Sequence, residues 1–306
     1  VNPGTDAING SFPAQKRYPA YLALLAAIFC VAWAPIFVRW TDIPGSASAF
    51  YRMLIPATIL LPTFFFRPNA QPASRRSHWI IAVGGIFFAL DLALYNSSIL
   101  RTSAANASLL GNNSPVFVGL LTWLLLRRRP QAFFWMGLLL ALSGTLIIVR
   151  ADMLHHTQFG LGDAMSVGAA ACFALYLMAT EEVRANIGTL QFLRLAMIST
   201  TAALLVINIV LRNSFHVPNA RTWGALIGLG LLSQLVGYMA LTYALGHLPA
   251  TITSISLLLQ GPLTALLAAI LLHESISIAQ IAGGLLVLVG VGLAHRQKHP
   301  EEEANV

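Results

Sequence analysis

The sequence predicts an all-α integral membrane protein of ten transmembrane helices, arranged as two inverted five-helix repeats. Three observations lead there. Of the 306 residues, 57% are hydrophobic and only 9% are charged. The apolar residues form continuous runs long enough to span a bilayer. The second half of the chain also echoes the first.

The charge content excludes most alternatives. Soluble domains carry about 25% charged residues. Here 18 Lys and Arg and 11 Asp and Glu cannot cover the surface of a soluble fold this size. Disorder, collagen and a disulfide scaffold are excluded on the same ground. The net charge of +7 would suggest nucleic acid in a soluble chain. In an apolar chain, basic residues anchor helix ends on the cytoplasmic side, and no nucleic-acid partner is expected. Cys30 and Cys172 both sit inside apolar runs and read as small core hydrophobes.

A span takes about 20 apolar residues, because a helix rises about 1.5 Å per residue through a core about 30 Å thick. Ten segments qualify: 18–38, 46–66, 79–99, 103–126, 131–149, 160–180, 188–211, 222–245, 249–272 and 277–295. Lys16 and Arg17 precede the first, which reads as a span rather than a cleaved signal. Residues 222–272 contain no Asp, Glu, Lys or Arg, and Gly246, His247 and Pro249 divide them in two. The runs do not alternate in polarity, which argues against a β-barrel.

Basic residues orient the spans. With the N-terminus inside, Arg39, Arg101, Arg150, Arg212 and Arg221 lie outside, while eleven others, Arg127-Arg128-Arg129 among them, lie in the cytoplasm. This bias puts both termini in the cytoplasm. Arg52 and Arg194 fall just inside the second and seventh spans and are read as snorkelling or gating residues.

Internal similarity divides the chain. Pro115 and Pro262 are 147 residues apart, as are Gly137 and Gly284. Arg52 has its analogue in Arg194, and Trp33-Ala34 in Phe173-Ala174. The expected organisation is a cytoplasmic tail 1–17, a first repeat 18–149, a linker 150–159 outside, a second repeat 160–295 and a tail 296–306. Five spans per repeat would invert the second half, an architecture common among secondary transporters.

No Walker sequence, GxGxxG after a strand, HExxH or CxxC is present. The sequence therefore predicts no enzyme, no metal site and no cofactor. The informative residues are the polar ones inside spans. Asp91 lies deep in the third span, suited to a cationic group or to a proton. The competing reading is a buried acid bonded to a neighbouring helix, and proton coupling stays open. Tyr95 is one turn further along the same face. Asn106 and Asn113 recur seven residues apart in the fourth span. Ser256 and Gln260 form the corresponding pair in the ninth. Trp33, Tyr176 and Tyr238 are aromatics away from the interfaces, suited to stacking on a substrate or to packing. Pro115 and Pro262 are expected to kink or gate their helices. The glycines of the fifth and tenth spans read as a packing surface.

The stretches Tyr243-Ala-Leu-Gly-His-Leu-Pro-Ala, Gln260-Gly-Pro262, Leu271-Leu-His-Glu274 and Gln280-Ile-Ala-Gly283-Gly284 resemble the EamA family of the drug/metabolite transporter superfamily. Trp33-Ala-Pro-Ile-Phe37 resembles the Trp-Gly-x-x-Phe pattern of that family's first span, and Gly162-Asp163 the opening of its second repeat. The resemblance covers about residues 18–295. Arg127 stands where the second repeat has Glu274, and Ala34 where glycine is usual. The resemblance implies a ten-helix exporter with a central cavity, most similar to bacterial aromatic amino acid exporters. It implies a multi-pass protein of the bacterial inner membrane, without ATP, whose partners are membrane lipid and an amino acid or related metabolite. Drugs, nucleobases or other metabolites are the alternative cargo. A monomer is expected, with a homodimer as the other option.

Overall fold

The structure, a computed structural model, describes residues 17–63, 74–99, 101, 110–127, 130–149, 160–271 and 278–295. Asn106, Glu274, Arg128, Arg129, the linker 150–159 and both tails beyond Arg17 and His295 lie outside the described residues.

The described chain is helical. In order come α1 (Arg17–Ala32), α2 (Ala34–Arg39), α3 (Gly45–Leu60), α4 (Arg75–Ile99), α5 (Ser114–Leu126) and α6 (Ala132–Val149). Then follow α7 (Leu161–Arg184), α8 (Thr189–Val210) and α9 (Ala220–Gly228). A π-helical segment, Leu229–Val236, joins α9 to α10 (Gly237–Leu245). A 3-10 turn, Leu257–Leu259, joins α11 (Ala250–Ser256) to α12 (Gln260–Leu271), and α13 (Ile278–Ala294) follows.

The count of ten spans in two inverted sets of five does not stand. Among the described residues, six helical stretches are long and apolar enough to cross a membrane. They are Tyr18–Val38, Arg75–Ser98, Leu161–Arg184, Thr189–Val210, Ala220–Leu245 and Ala250–Leu271. Ser114–Leu125, Ala132–Ile147 and Ile281–Ala294 are apolar but shorter. The reason is local. An apolar run measures composition, whereas a span needs unbroken helix. α3 stops after 16 residues, about 24 Å at 1.5 Å per residue. α5 starts only at Ser114, with Pro115 in its first turn, where its missing N–H costs nothing. α5 also ends early, on Arg127 in the left-handed region at φ 52°.

Polar side chains start individual helices. Asp163 Oδ2 accepts from the Gly160 N–H at 2.8 Å at the head of α7. Asn219 Oδ1 accepts from the Thr222 N–H at 2.8 Å at the head of α9. The main core gathers Met53, Phe88, Leu177, Phe192, Met197, Leu204 and Leu241 from α3, α4, α7, α8 and α10. α4 packs against α7 and α8, and α1 against α10. Outside this core, Leu25, Ile86, Leu139, Val206, Val210 and Leu288 are exposed. So broad an apolar exterior suits lipid rather than water.

The most extensive helix pair is α6 with α13. Its glycines let the two backbones touch. A Cβ on Gly137 would come 2.4 Å from the Gly290 carbonyl oxygen, and one on Gly144 2.5 Å from that of Gly283. Small residues at a membrane-helix contact favour such close packing.

Candidate functional site

Phe88 and Asp91 lie on one face of α4, away from the exposed stripe of Trp79, Val83, Ile86 and Leu90. Phe88 stacks on Tyr176 of α7, with ring centroids 4.4 Å apart and planes 13° apart. It also meets Tyr238 of α10 at 5.0 Å. Phe173, almost one turn before Tyr176, closes the group at 6.1 Å from Phe88. The result is an aromatic cluster within the bundle, drawn from three helices.

Charge adjoins this cluster. Arg52 is the eighth of the 16 residues of α3, so it sits midway along its helix. Rather than reaching for an interface, its Nε donates to Gln234 Oε1 at 2.7 Å. Its guanidinium carbon lies 5.7 Å from the Tyr238 ring centroid, a cation–π contact. Asp91 lies on the α4 face of Phe88, whose ring meets Tyr238, the same ring that Arg52 approaches. Gln234 is only 1% exposed and comes from the π-helical segment. Such segments turn side chains out of α-helical register and recur at functional sites.

The structure therefore brings Asp91, Tyr176 and Tyr238 to one place. Tyr95 is one turn beyond Asp91, and its ring packs on the Gly111 backbone, where a Cβ would sit 2.8 Å away. Beside Gly111, Asn112 Oδ1 accepts from Gln260 Nε2 at 3.4 Å. Tyr95, Asn112 and Gln260 thus form a second polar group. Asn113 precedes α5 and donates to the Leu110 carbonyl at 3.3 Å.

Two residues sit elsewhere. Ser256 Oγ donates to the Ile252 carbonyl at 2.7 Å and pairs with His295 Nε2 at 2.8 Å. Trp33 lies at the break between α1 and α2, stacked on Phe37 at 5.9 Å. Its indole N–H is buried without a partner among the described residues. Pro115 opens α5, and Pro262 falls in the first turn of α12, just after the 3-10 turn. A cavity of about 360 Å³ is lined by Leu90, Leu94 and Arg101, Met165, and Val206 and Val210, and by none of the candidate site residues.

Phe88 is not among the expected site residues; Arg52 is read from the sequence as a snorkelling or gating residue, and Gln234 shares a helical stripe with Tyr238. Phe88 could have been found as the residue three before Asp91 on the same helical face. Arg52 carried a signal too, as an arginine within an apolar segment.

The model of the EamA-like transporter family matches this chain twice, over residues 18–150 and 160–295. The chain belongs to the EamA-like transporter family. It is a multi-pass membrane transporter, not an enzyme. The pseudopaline exporter CntI of Pseudomonas aeruginosa is 29% identical over 280 residues, covering 90% of this chain and 95% of that protein. A probable terminal-alkyne amino-acid exporter of Streptantibioticus cattleyicolor is 26% identical, covering 74% of this chain and 76% of that one. A solved crystal structure shares the fold, with a TM-score of 0.76 at 19% identity, over 91% of this chain and 97% of its own.

Proposed function

We propose that this chain is a secondary carrier that exports amino acids, aromatic and other apolar ones among them, from the cytoplasm. The observation that carries the reading is the convergence of Arg52, Asp91 and Gln234 on the rings of Phe88, Tyr176 and Tyr238 inside an apolar bundle. A charged group in the membrane is costly and is retained for function. Here a guanidinium and a carboxyl group stand beside aromatic surface. A zwitterion with an apolar side chain carries the complementary set. The family and the two exporters described above support export as the direction.

The mechanism we infer is alternating access. Substrate enters from the cytoplasm, seats against Asp91, Tyr176 and Tyr238, and leaves on the opposite side. Tyr95, Asn113 and Gln260 are assigned to this path; Trp33 and Ser256, which sit elsewhere in the bundle, and Asn106, outside the described residues, stay candidates from the sequence alone. The helix breaks at Trp33, Leu229–Val236 and Leu257–Leu259 supply the bending points. Pro115 and Pro262 lie in the first turns of α5 and α12, and we assign them to gating at those helix starts. A proton gradient is not required by this arrangement, and Asp91 is the group that would carry a proton if one is coupled.

The test is uptake into proteoliposomes holding the purified chain, with labelled phenylalanine competed by a panel of amino acids, nucleobases and cationic drugs. Competition confined to amino acids supports the reading. Competition by nucleobases or cationic drugs, with none by amino acids, replaces it with general metabolite export.

A further inference from the structure

We propose that Arg52 is the specificity-determining residue that reads the substrate's carboxylate, held in place by Gln234, while Asp91 receives the substrate's ammonium. This deepens the export reading and rests on it. The site then takes α-amino acids and rejects amines that lack a carboxylate.

The geometry of Arg52 leads to this. Among the described residues its guanidinium makes one hydrogen bond, from Nε to Gln234. The two terminal amino groups are left unbonded, and they form the planar fork that matches a carboxylate with two parallel hydrogen bonds. The Tyr238 ring beside the guanidinium fixes its orientation. Gln234 is a neutral amide. It aligns the guanidinium without cancelling its charge, which an acid at that position would do.

Asp91 supplies the complementary half. Asp91 lies on the α4 face of Phe88, whose ring is 5.0 Å from the Tyr238 ring that Arg52 faces, and it forms no direct ion pair with Arg52 among the described residues. Had they paired with each other, neither would be open to a substrate. Held apart, each is left to a ligand, and a bound ammonium favours the ionised form of Asp91. A zwitterion laid between them completes both pairs at once. Phe88 stacked on Tyr176 offers an apolar wall to its side chain.

Phenylalanine counterflow in proteoliposomes holding the full chain tests the proposal, with phenylalaninamide as competitor. Wild-type protein is expected to carry phenylalanine and to ignore the amide, which keeps the amine and lacks the carboxylate. Arg52→Gln should lower phenylalanine flux by about 10- to 100-fold, the scale of a charge-assisted hydrogen bond, and erase the preference for acid over amide. Arg52→Lys keeps the charge without the fork and should fall between. Gln234→Leu should raise KM with kcat little changed, and Gln234→Asn should restore part of the loss, as expected of a positioning residue. Melting temperatures of the purified variants separate misfolding from lost recognition. If Arg52→Gln does not fold, Arg52→Lys and the wild-type competition by the amide still decide. An unchanged acid-over-amide preference in a folded Arg52 variant overturns the proposal and leaves amino-acid export standing. Wild-type protein that carries no amino acid at all overturns both.

Discussion

A charge held inside an apolar bundle survives only where something offsets it. The chain solves this differently at two arginines. Arg184, 9% exposed at the end of α7, is fully engaged. It donates from Nε to the Thr242 carbonyl at 3.0 Å, from Nη1 to the Ile187 carbonyl, and from Nη2 to Thr189 Oγ1 at 2.7 Å. It thereby ties the α7–α8 turn to the end of α10, and Gly246 leaves room for it, since a Cβ there would meet Nη2 at 2.7 Å. Arg184→Ala strands these acceptors and should cost about 2–4 kcal/mol, from losses of about 1 kcal/mol per bond. A lower melting temperature in detergent checks this. Arg52, by contrast, is only partly engaged. That difference separates a structural arginine from one available to a ligand.

Helix breaks, rather than whole helices, surround the proposed path. At Trp33 the chain turns before Pro35, which has no N–H to donate. Thr264 Oγ1 of α12 donates to the Ala32 carbonyl there at 2.9 Å. Thr264→Val removes that bond while keeping the shape and should destabilise by about 1 kcal/mol, read as a small fall in melting temperature. In the α6–α13 pair the two backbones pack directly on each other. Gly137→Leu would drive a side chain into the Gly290 carbonyl and Ala294 backbone. It should lower the melting temperature by several degrees, following about 1–3 kcal/mol of overpacking. Leu139→Ala, on the exposed face of the same helix, serves as the control and should change little. The glycine interface was legible in the sequence because small residues recur there in otherwise large apolar runs. Span number was not, because hydropathy counts apolar residues and cannot register where α3 stops or where α5 begins.

For the molecule as a whole, the sequence revealed the chemistry of one side of the site better than its assembly. Asp91, Tyr176 and Tyr238 stand out as polar or aromatic residues in apolar surroundings, and both tyrosine rings meet Phe88, three residues before Asp91 on its helical face. Gln234 was not legible as a partner of Arg52, since its placement depends on the π-helical segment. Ser256 has helical spacing to Gln260 but bonds to His295, a partner no local pattern reveals. Orientation is testable at this scale. Three long apolar helices separate the start of α4 from the head of α9. Arg76→Cys, with its side chain 80% exposed, and Arg221→Cys should therefore react with a membrane-impermeant thiol reagent from opposite faces, one in intact cells and the other only after permeabilisation. Labelling of both from one face contradicts the order of spans.

Phenylalanine counterflow in proteoliposomes, comparing wild-type protein with Asp91→Asn, tests the central assignment most directly. The substitution keeps the side chain's size and removes its charge, so the fold should persist. Saturable counterflow by the wild type that drops by about 10-fold or more in the folded variant, as expected for a lost charge-assisted contact, is the predicted result. Wild-type counterflow no greater than that of empty liposomes, or an Asp91→Asn variant as active as wild type, would contradict it.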